Sequence, residues 1–167
     1  MSAPRKRPTP RQSPKPRLVL GIGNLLLKDE GVGVHVVQAI EARVAAGDFV
    51  LPEGVEVCDG GTLGLDLVDL VENRRKVVVV DALDADAAPA TVLRFTAEDL
   101  VRRQAADLSL HQVGLFEALA MARYLSRAPQ EVVIFGIVPK DMSPGLELSA
   151  EVAAVVPEVI QRVLAEI

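Results

Sequence analysis

A chain of 167 residues, half of them apolar, with a net charge of −5 and one cysteine is sized for a single domain with a sizeable core. The lone Cys58 excludes an internal disulfide and fits a reducing, cytoplasmic compartment. No apolar run is long enough to span a bilayer or to act as an ordinary signal peptide, so no membrane partner is expected.

Residues 1–17 carry Arg5, Lys6, Arg7, Arg11, Lys15 and Arg17, several prolines and no acid, so this arm is +6 and the remainder is −11. A basic, proline-rich arm cannot bury enough apolar surface to order itself and is expected to be disordered. The acidic body argues against nucleic-acid binding by the folded part, residues 18–167.

From Arg17 the elements alternate. Arg17 to Ile22 reads as a short strand, apolar on both faces, followed by a glycine turn and the acids Asp29 and Glu30. Val32, Val36, Val37, Ile40 and Val44 recur at helical spacing and predict a helix over 30–45 closed by Gly47. Gly54 to Cys58 is a second strand, ended by Asp59, Gly60, Gly61 and Thr62, and 65–71 forms a short helix ended by Asn73. The valines 77–80 mark a central strand buried on both sides, terminated by Asp81. The alternating Thr91–Thr96 follows after a loop too short for a helical crossover, which favours an antiparallel edge strand. Residues 97–110 are expected to form a loop with a short helical turn. His111 opens a helix carrying Leu115, Ala118, Leu119, Ala122 and Leu125, and Val132–Val138 is the last strand. Ser149 can cap a final helix that contains Pro157, where a kink or a new first turn is expected. The order βαβαββαβα describes one three-layer α/β/α domain around a mostly parallel sheet, with right-handed crossovers.

Three features invite a chemical reading. Gly21-x-Gly23 after a strand suggests a dinucleotide turn, but Leu26 stands where the fingerprint needs its third glycine. In Asp59-Gly60-Gly61-Thr62, paired glycines would let a ligand or an extended peptide approach the backbone, although a plain strand-to-helix turn capped by Thr62 explains the pattern as simply. Finally, Glu30 beyond the first strand, Asp81 at the end of the third and His111 at the start of a helix could share one sheet edge. Two carboxylates and one imidazole make three ligands with positions left open, a pattern suited to nickel, zinc, manganese or iron. Spacing alone leaves a helix cap, a turn aspartate and a surface histidine as alternatives. His35 falls five residues after Glu30, off that residue's helix face, and is expected to be solvated, Cys58 packs as a small apolar group, and Asp29 reads as a helix-start acid favoured by the dipole.

The segments LVLGIGNLLLKDEGVGVHVVQAI, CDGGTLGLDL, VVVVDAL, HQVGL and FGIVPKDM, in this order, resemble the hydrogenase maturation endopeptidases from Leu18 onward. The resemblance implies a five-stranded mixed sheet of order 2-1-3-5-4 with strand 4 antiparallel. It implies cleavage of a C-terminal extension from the large-subunit precursor of a nickel–iron hydrogenase after nickel insertion, with the nickel carried by the precursor; a monomer is the default expectation. The family's metal ligands fall on Glu30, Asp81 and His111, and the acid of its DGG motif, tied to recognition of the nickel-loaded precursor, falls on Asp59. Gly60, Gly61 and Thr62 are then expected beside the extended tail, and the attacking water would be activated by the metal or by a carboxylate. The competing expectations are a chaperone-like module that binds an assembly intermediate without cutting it, and a nucleotide-binding domain.

Overall fold

The computed structural model describes residues 16–102 and 110–167. Five strands form one sheet: β1 (Arg17–Ile22), β2 (Val55–Gly61), β3 (Lys76–Ala82), β4 (Val92–Thr96) and β5 (Glu131–Ile137), in the order β2-β1-β3-β5-β4. All neighbours are parallel except β4 and β5, which pair antiparallel, so the alternating strand 92–96 is the expected edge. The helices are α1 (Val32–Ala46), α2 (Leu67–Val71), α3 (Ala97–Arg102), α4 (Leu110–Tyr124) and α5 (Ala150–Glu166), with a single 3-10 turn at Lys28–Gly31 before α1.

The alternation of each strand divides the core in two. Leu18, Leu20, Ile22, Val77 and Val79 face α2 and α4, against Leu67, Val71, Leu115, Ala118 and Ala122. Val19, Val78, Val80 and Phe135 face α1 and α5, against Val36, Val37, Ile40, Val152, Val159 and Val163. Small β-branched side chains on both faces are what a sheet buried on both sides requires.

Several boundaries differ from the sequence reading. β2 continues through Asp59, Gly60 and Gly61 instead of stopping at Cys58, because Gly21 pairs with Asp59 and Ile22 with Gly61 across a bulge. β3 likewise includes Asp81. Thr62 caps nothing: α2 begins five residues later, with Asp66 in the cap position. The stretch expected as a loop opens with α3, where Thr96 and Asp99 exchange side-chain to backbone hydrogen bonds as a capping box does; residues 103–109 lie outside the described part, as do residues 1–15 of the basic arm. α5 runs as one helix across Pro157, which is exposed, so water can serve the carbonyl that the missing N–H leaves unbonded. His35 is only partly accessible and its Nε2 is buried without a hydrogen-bond partner among the described residues, because the first turns of α1 are enclosed almost all round. Among the described residues, no helix is long and apolar enough to cross a membrane.

Candidate functional site

The carboxyl ends of β1, β2 and β3 meet at one edge of the sheet, where open α/β folds keep their ligands. What brings α1 down onto that edge is the absence of side chains. A Cβ on Gly33, in the first turn of α1, would lie 2.1 Å from the carbonyl oxygen of Val80 and 2.3 Å from that of Ile22, and one on Gly21 would lie 2.2 Å from the carbonyl of Gly33. The helix therefore rests backbone to backbone on β1 and β3. Gly23, at φ +141°, leaves room for the carbonyl of Glu30, which a Cβ there would meet at 2.0 Å. The glycines that hinted at a phosphate cradle instead make a seat for the turn carrying Glu30.

Asp81 occupies the next-to-last position of β3, one residue beyond the Gly21–Val80 pairing. It shares its parity with Val77 and Val79, so it belongs to the face covered by α2 and α4. Its carboxylate is 1% exposed, and neither oxygen has a hydrogen-bond partner of ordinary geometry among the described residues. Burial pushes the Asp81 carboxyl up to about 8; the backbone N–H of Ala82 pulls the other way, and the nearby charge of Glu30 raises it further. Glu30 itself is half-buried, with Oε2 out of reach of solvent. The structure thus brings these two carboxylates together in a poorly solvated place.

His111 lies in the first turn of α4. That turn is held at the same edge, because Gly114, one turn later, packs so closely on the chain after β2 that a Cβ would stand 3.2 Å from the Cα of Gly64. The opposite end of α4 leads to Arg127, whose carbonyl accepts from Asn73 N–H at 2.6 Å beyond α2. The imidazole of His111 lies outside the described side chains, and among those described no group of three His, Cys, Asp or Glu is arranged to hold a metal ion.

Asp59 is exposed, and its Oδ1 accepts from the N–H of Gly61 at 2.8 Å. This short-range bond stabilises the left-handed turn at Gly61, φ +48°, a conformation that side chains resist. The carbonyl of Gly61 accepts from Gly23 N–H at 2.9 Å, so the DGG segment is stitched to the glycine turn that precedes Glu30. Gly60 is buried, and Thr62 is exposed at the rim. Cys58 packs partly against the α2 side of the core; burial pushes its thiol up, the Asp59 charge adds to this, and the thiol is held in its unreactive form.

Asp29 does stand in a first helical turn, that of the 3-10 segment before α1, but it does more than meet a dipole: it is 0% exposed, and its carboxylate gathers the segment that follows β5. Oδ2 accepts from the N–H of Lys140 (2.9 Å), the N–H of Asp141 (2.9 Å) and the hydroxyl of Ser149 (2.8 Å), and Oδ1 from the N–H of Ser149 (2.7 Å). Burial alone would push this carboxyl up, but the donors from Asp141, Ser149 and Lys140 outweigh it and hold it below its ordinary value. Ser149 serves twice, since its hydroxyl also caps α5 by accepting from the N–H of Val152.

A model of the hydrogenase maturation protease family matches residues 34–166 of this chain. The chain is 34% identical over 149 residues to the hydrogenase 2 maturation protease of Escherichia coli (strain K12), covering 89% of this chain and 88% of that protein. It is 38% identical over 152 residues to the hydrogenase expression/formation protein HupD of Rhizobium leguminosarum bv. viciae, covering 89% and 72%. Among solved structures, the hydrogenase maturating endopeptidase HybD from Escherichia coli superimposes with a TM-score of 0.80 at 33% identity, over 90% of this chain and 91% of that one. The [NiFe] hydrogenase maturation protease HybD from Thermococcus kodakarensis does so at 0.71 and 29% identity, over 90% and 97%.

Proposed function

Given that this chain belongs to the hydrogenase maturation protease family and is a peptide-bond hydrolase of that family, we propose that it removes a C-terminal extension from a nickel–iron hydrogenase large-subunit precursor, and that it reads the precursor's nickel with Glu30, Asp81 and His111. The observation that carries this reading is the Asp81 carboxylate, buried, with no hydrogen bond of ordinary geometry among the described residues, and pushed up to about 8. A buried acid so poorly supplied with donors among the described residues is stabilised by a proton or by a cation. Glu30 beside it adds negative charge, and one imidazole from the start of α4 would complete a set of two oxygens and one nitrogen with positions left open for the substrate's own ligands.

In this reading the nickel belongs to the substrate, and at the site it would supply positive charge close to the peptide carbonyl where negative charge develops. The chain's own residues bind and orient. Asp81 would release its proton to solvent water as the cation approaches, and meet it as a carboxylate. Asp59 and the Gly60-Gly61 backbone, at the rim beside the turn of Glu30, flank the extended tail, and Glu30 is placed to take a proton from an attacking water and to pass it to the amine that leaves as the C–N bond breaks. The enzyme works as a cytoplasmic monomer on this protein substrate.

The test is to incubate the protein with nickel-loaded and nickel-free precursor and to weigh the products. Loss of a C-terminal peptide from the loaded form alone is expected, and it also locates the cleaved bond. His111→Ala should abolish the cut while leaving the fold intact. Equal cleavage of both precursors would sink nickel recognition, and undiminished cleavage by His111→Ala would remove that residue from the site.

A further inference from the structure

The turn that carries Glu30 is gripped from outside the sheet as well as from below. Residues 26–29 run alongside the segment after β5: Gly145 N–H donates to the carbonyl of Leu26 at 2.9 Å, Lys28 N–H to Gly145 at 2.9 Å and Asp29 N–H to Asp141 at 3.1 Å. Lys28 adds an ion pair to Asp141 at 2.6 Å, and its stem lies across Gly145, where a Cβ would meet it at 2.9 Å. Lys28 also adopts φ +44°, a conformation that side chains seldom take and that surrounding contacts must hold in place. The Asp29 carboxylate is the centre of this grip. Its four bonds, all between 2.7 and 2.9 Å, reach Lys140, Asp141 and Ser149, and through the Ser149 hydroxyl it is joined to the N-terminus of α5. The residue after it in the chain is Glu30, whose N–H closes the turn onto the carbonyl of Leu27 at 3.0 Å.

We propose that Asp29 is a positioning residue for the reaction: by drawing the Lys140–Ser149 segment and the start of α5 onto the turn, it fixes the backbone that presents Glu30 to Asp81. This rests on the assignment of Glu30 to the site. A carboxylate held by a single flexible turn would sample several placements. One whose neighbour is bonded to three residues of a distant segment is held in one, which is what chemistry dependent on sub-ångström placement requires. Asp29 touches no reacting atom in this scheme and acts through Glu30.

The experiment is a single-turnover cleavage of nickel-loaded precursor with enzyme in saturating excess, comparing wild type, Asp29→Asn, Ser149→Ala and Glu30→Gln, with thermal unfolding of each. A purely structural role lowers the folded fraction and hence the amplitude, but leaves the rate constant of the folded molecules alone. A positioning role lowers the rate constant. Asp29→Asn is expected to cut tenfold or more slowly, and Ser149→Ala, which deletes one of the four donors, at least threefold more slowly. A rate constant for folded Asp29→Asn within twofold of wild type overturns the proposal. Should Asp29→Asn not fold, an unchanged rate constant for Ser149→Ala overturns it in the same way. Glu30→Gln cutting at the wild-type rate would instead remove Glu30 from the site, and wild type failing to cut the loaded precursor would sink the functional reading, so the three failures are distinct.

Discussion

Asp29 and Asp81 are both shut away from solvent, at 0% and 1% exposure, on either side of the same sheet edge, yet they are opposites. Asp29 accepts four hydrogen bonds and is held below the ordinary carboxylate range; Asp81 has no hydrogen bond of ordinary geometry among the described residues and is pushed up to about 8. Burial is common to both, so burial does not decide the outcome. The supply of donors does. Asp29 is chemically finished: every lone pair it needs to share is shared, and it works as a strut. Asp81 lacks such donors among the described residues, and a buried acid with a raised pKa at a sheet edge is a candidate functional group.

The largest effect that would break this contrast is on activity. Asp81→Asn keeps the shape and removes the charge, and removing an electrostatic contact at a reacting centre costs on the order of 10² to 10³ in rate. Cleavage of the loaded precursor should fall by about a hundredfold or more, while denaturant unfolding near pH 8 shows no loss of stability, because no donor is orphaned by the change. A variant that cut normally, or that unfolded readily, would show Asp81 to be a purely structural group. Asp29→Asn is expected to lose stability as well as to cut tenfold or more slowly. Hydrogen bonds to a charged acceptor are each worth about 1.5–3 kcal/mol, and the new amide must turn an N–H toward one of the donors, so the midpoint of urea unfolding should report a loss of about 3 kcal/mol.

Acidity sharpens the comparison because the two groups push stability in opposite directions. The folded Asp81 carboxyl, pushed up to about 8 from 3.8, binds a proton that the unfolded chain has already released. Its contribution is therefore fully present below the ordinary carboxylate range and is lost as pH rises through about 8. Asp29 is held down in the fold, so its contribution is present above the ordinary range and is lost as pH falls through its lowered value. Unfolding measured from about pH 2 to 9 should show Asp81→Asn flattening the decline toward alkaline pH and Asp29→Asn flattening the decline below the ordinary carboxylate range. Equal effects of both substitutions at every pH would mean that neither shift exists.

Much of the framework was legible from residue types. The valines 77–80 could only be a strand buried on both faces, and the short loop before 92–96 made that strand the antiparallel edge. The sheet edge that gathers Glu30 and Asp81 followed from where the strands had to end. What stayed hidden depends on contacts between distant parts of the chain. Ser149 is a recognisable helix cap, but nothing in its neighbourhood says that its hydroxyl also donates to an aspartate 120 positions earlier. His35 lies off the apolar stripe of α1, and its half-burial comes from the enclosure of the first turns of that helix, which the periodicity of one segment does not encode. The DGG segment looked like the end of a strand because glycine usually ends one. Here the bulge opposite Ile22 lets the pairing run on through Gly61.

Asp59 is the third aspartate of this edge and the mildest test of the contrast. It is exposed, with a single bond of 2.8 Å from Oδ1 to the N–H of Gly61, so it is neither finished like Asp29 nor starved like Asp81. Water can replace that one partner, and the local turn is already permitted by glycine at φ +48°. Asp59→Ala should therefore cost no more than about 1 kcal/mol in denaturant unfolding. If its carboxylate faces the incoming precursor and not the reacting bond, the concentration of loaded precursor needed for half-maximal cleavage should rise several-fold while the saturated rate stays near that of wild type. A fall in the saturated rate as deep as that of Asp81→Asn would move Asp59 from the rim into the reacting centre, and the division between a solvated acid that recognises and a desolvated acid that reacts would have to be redrawn.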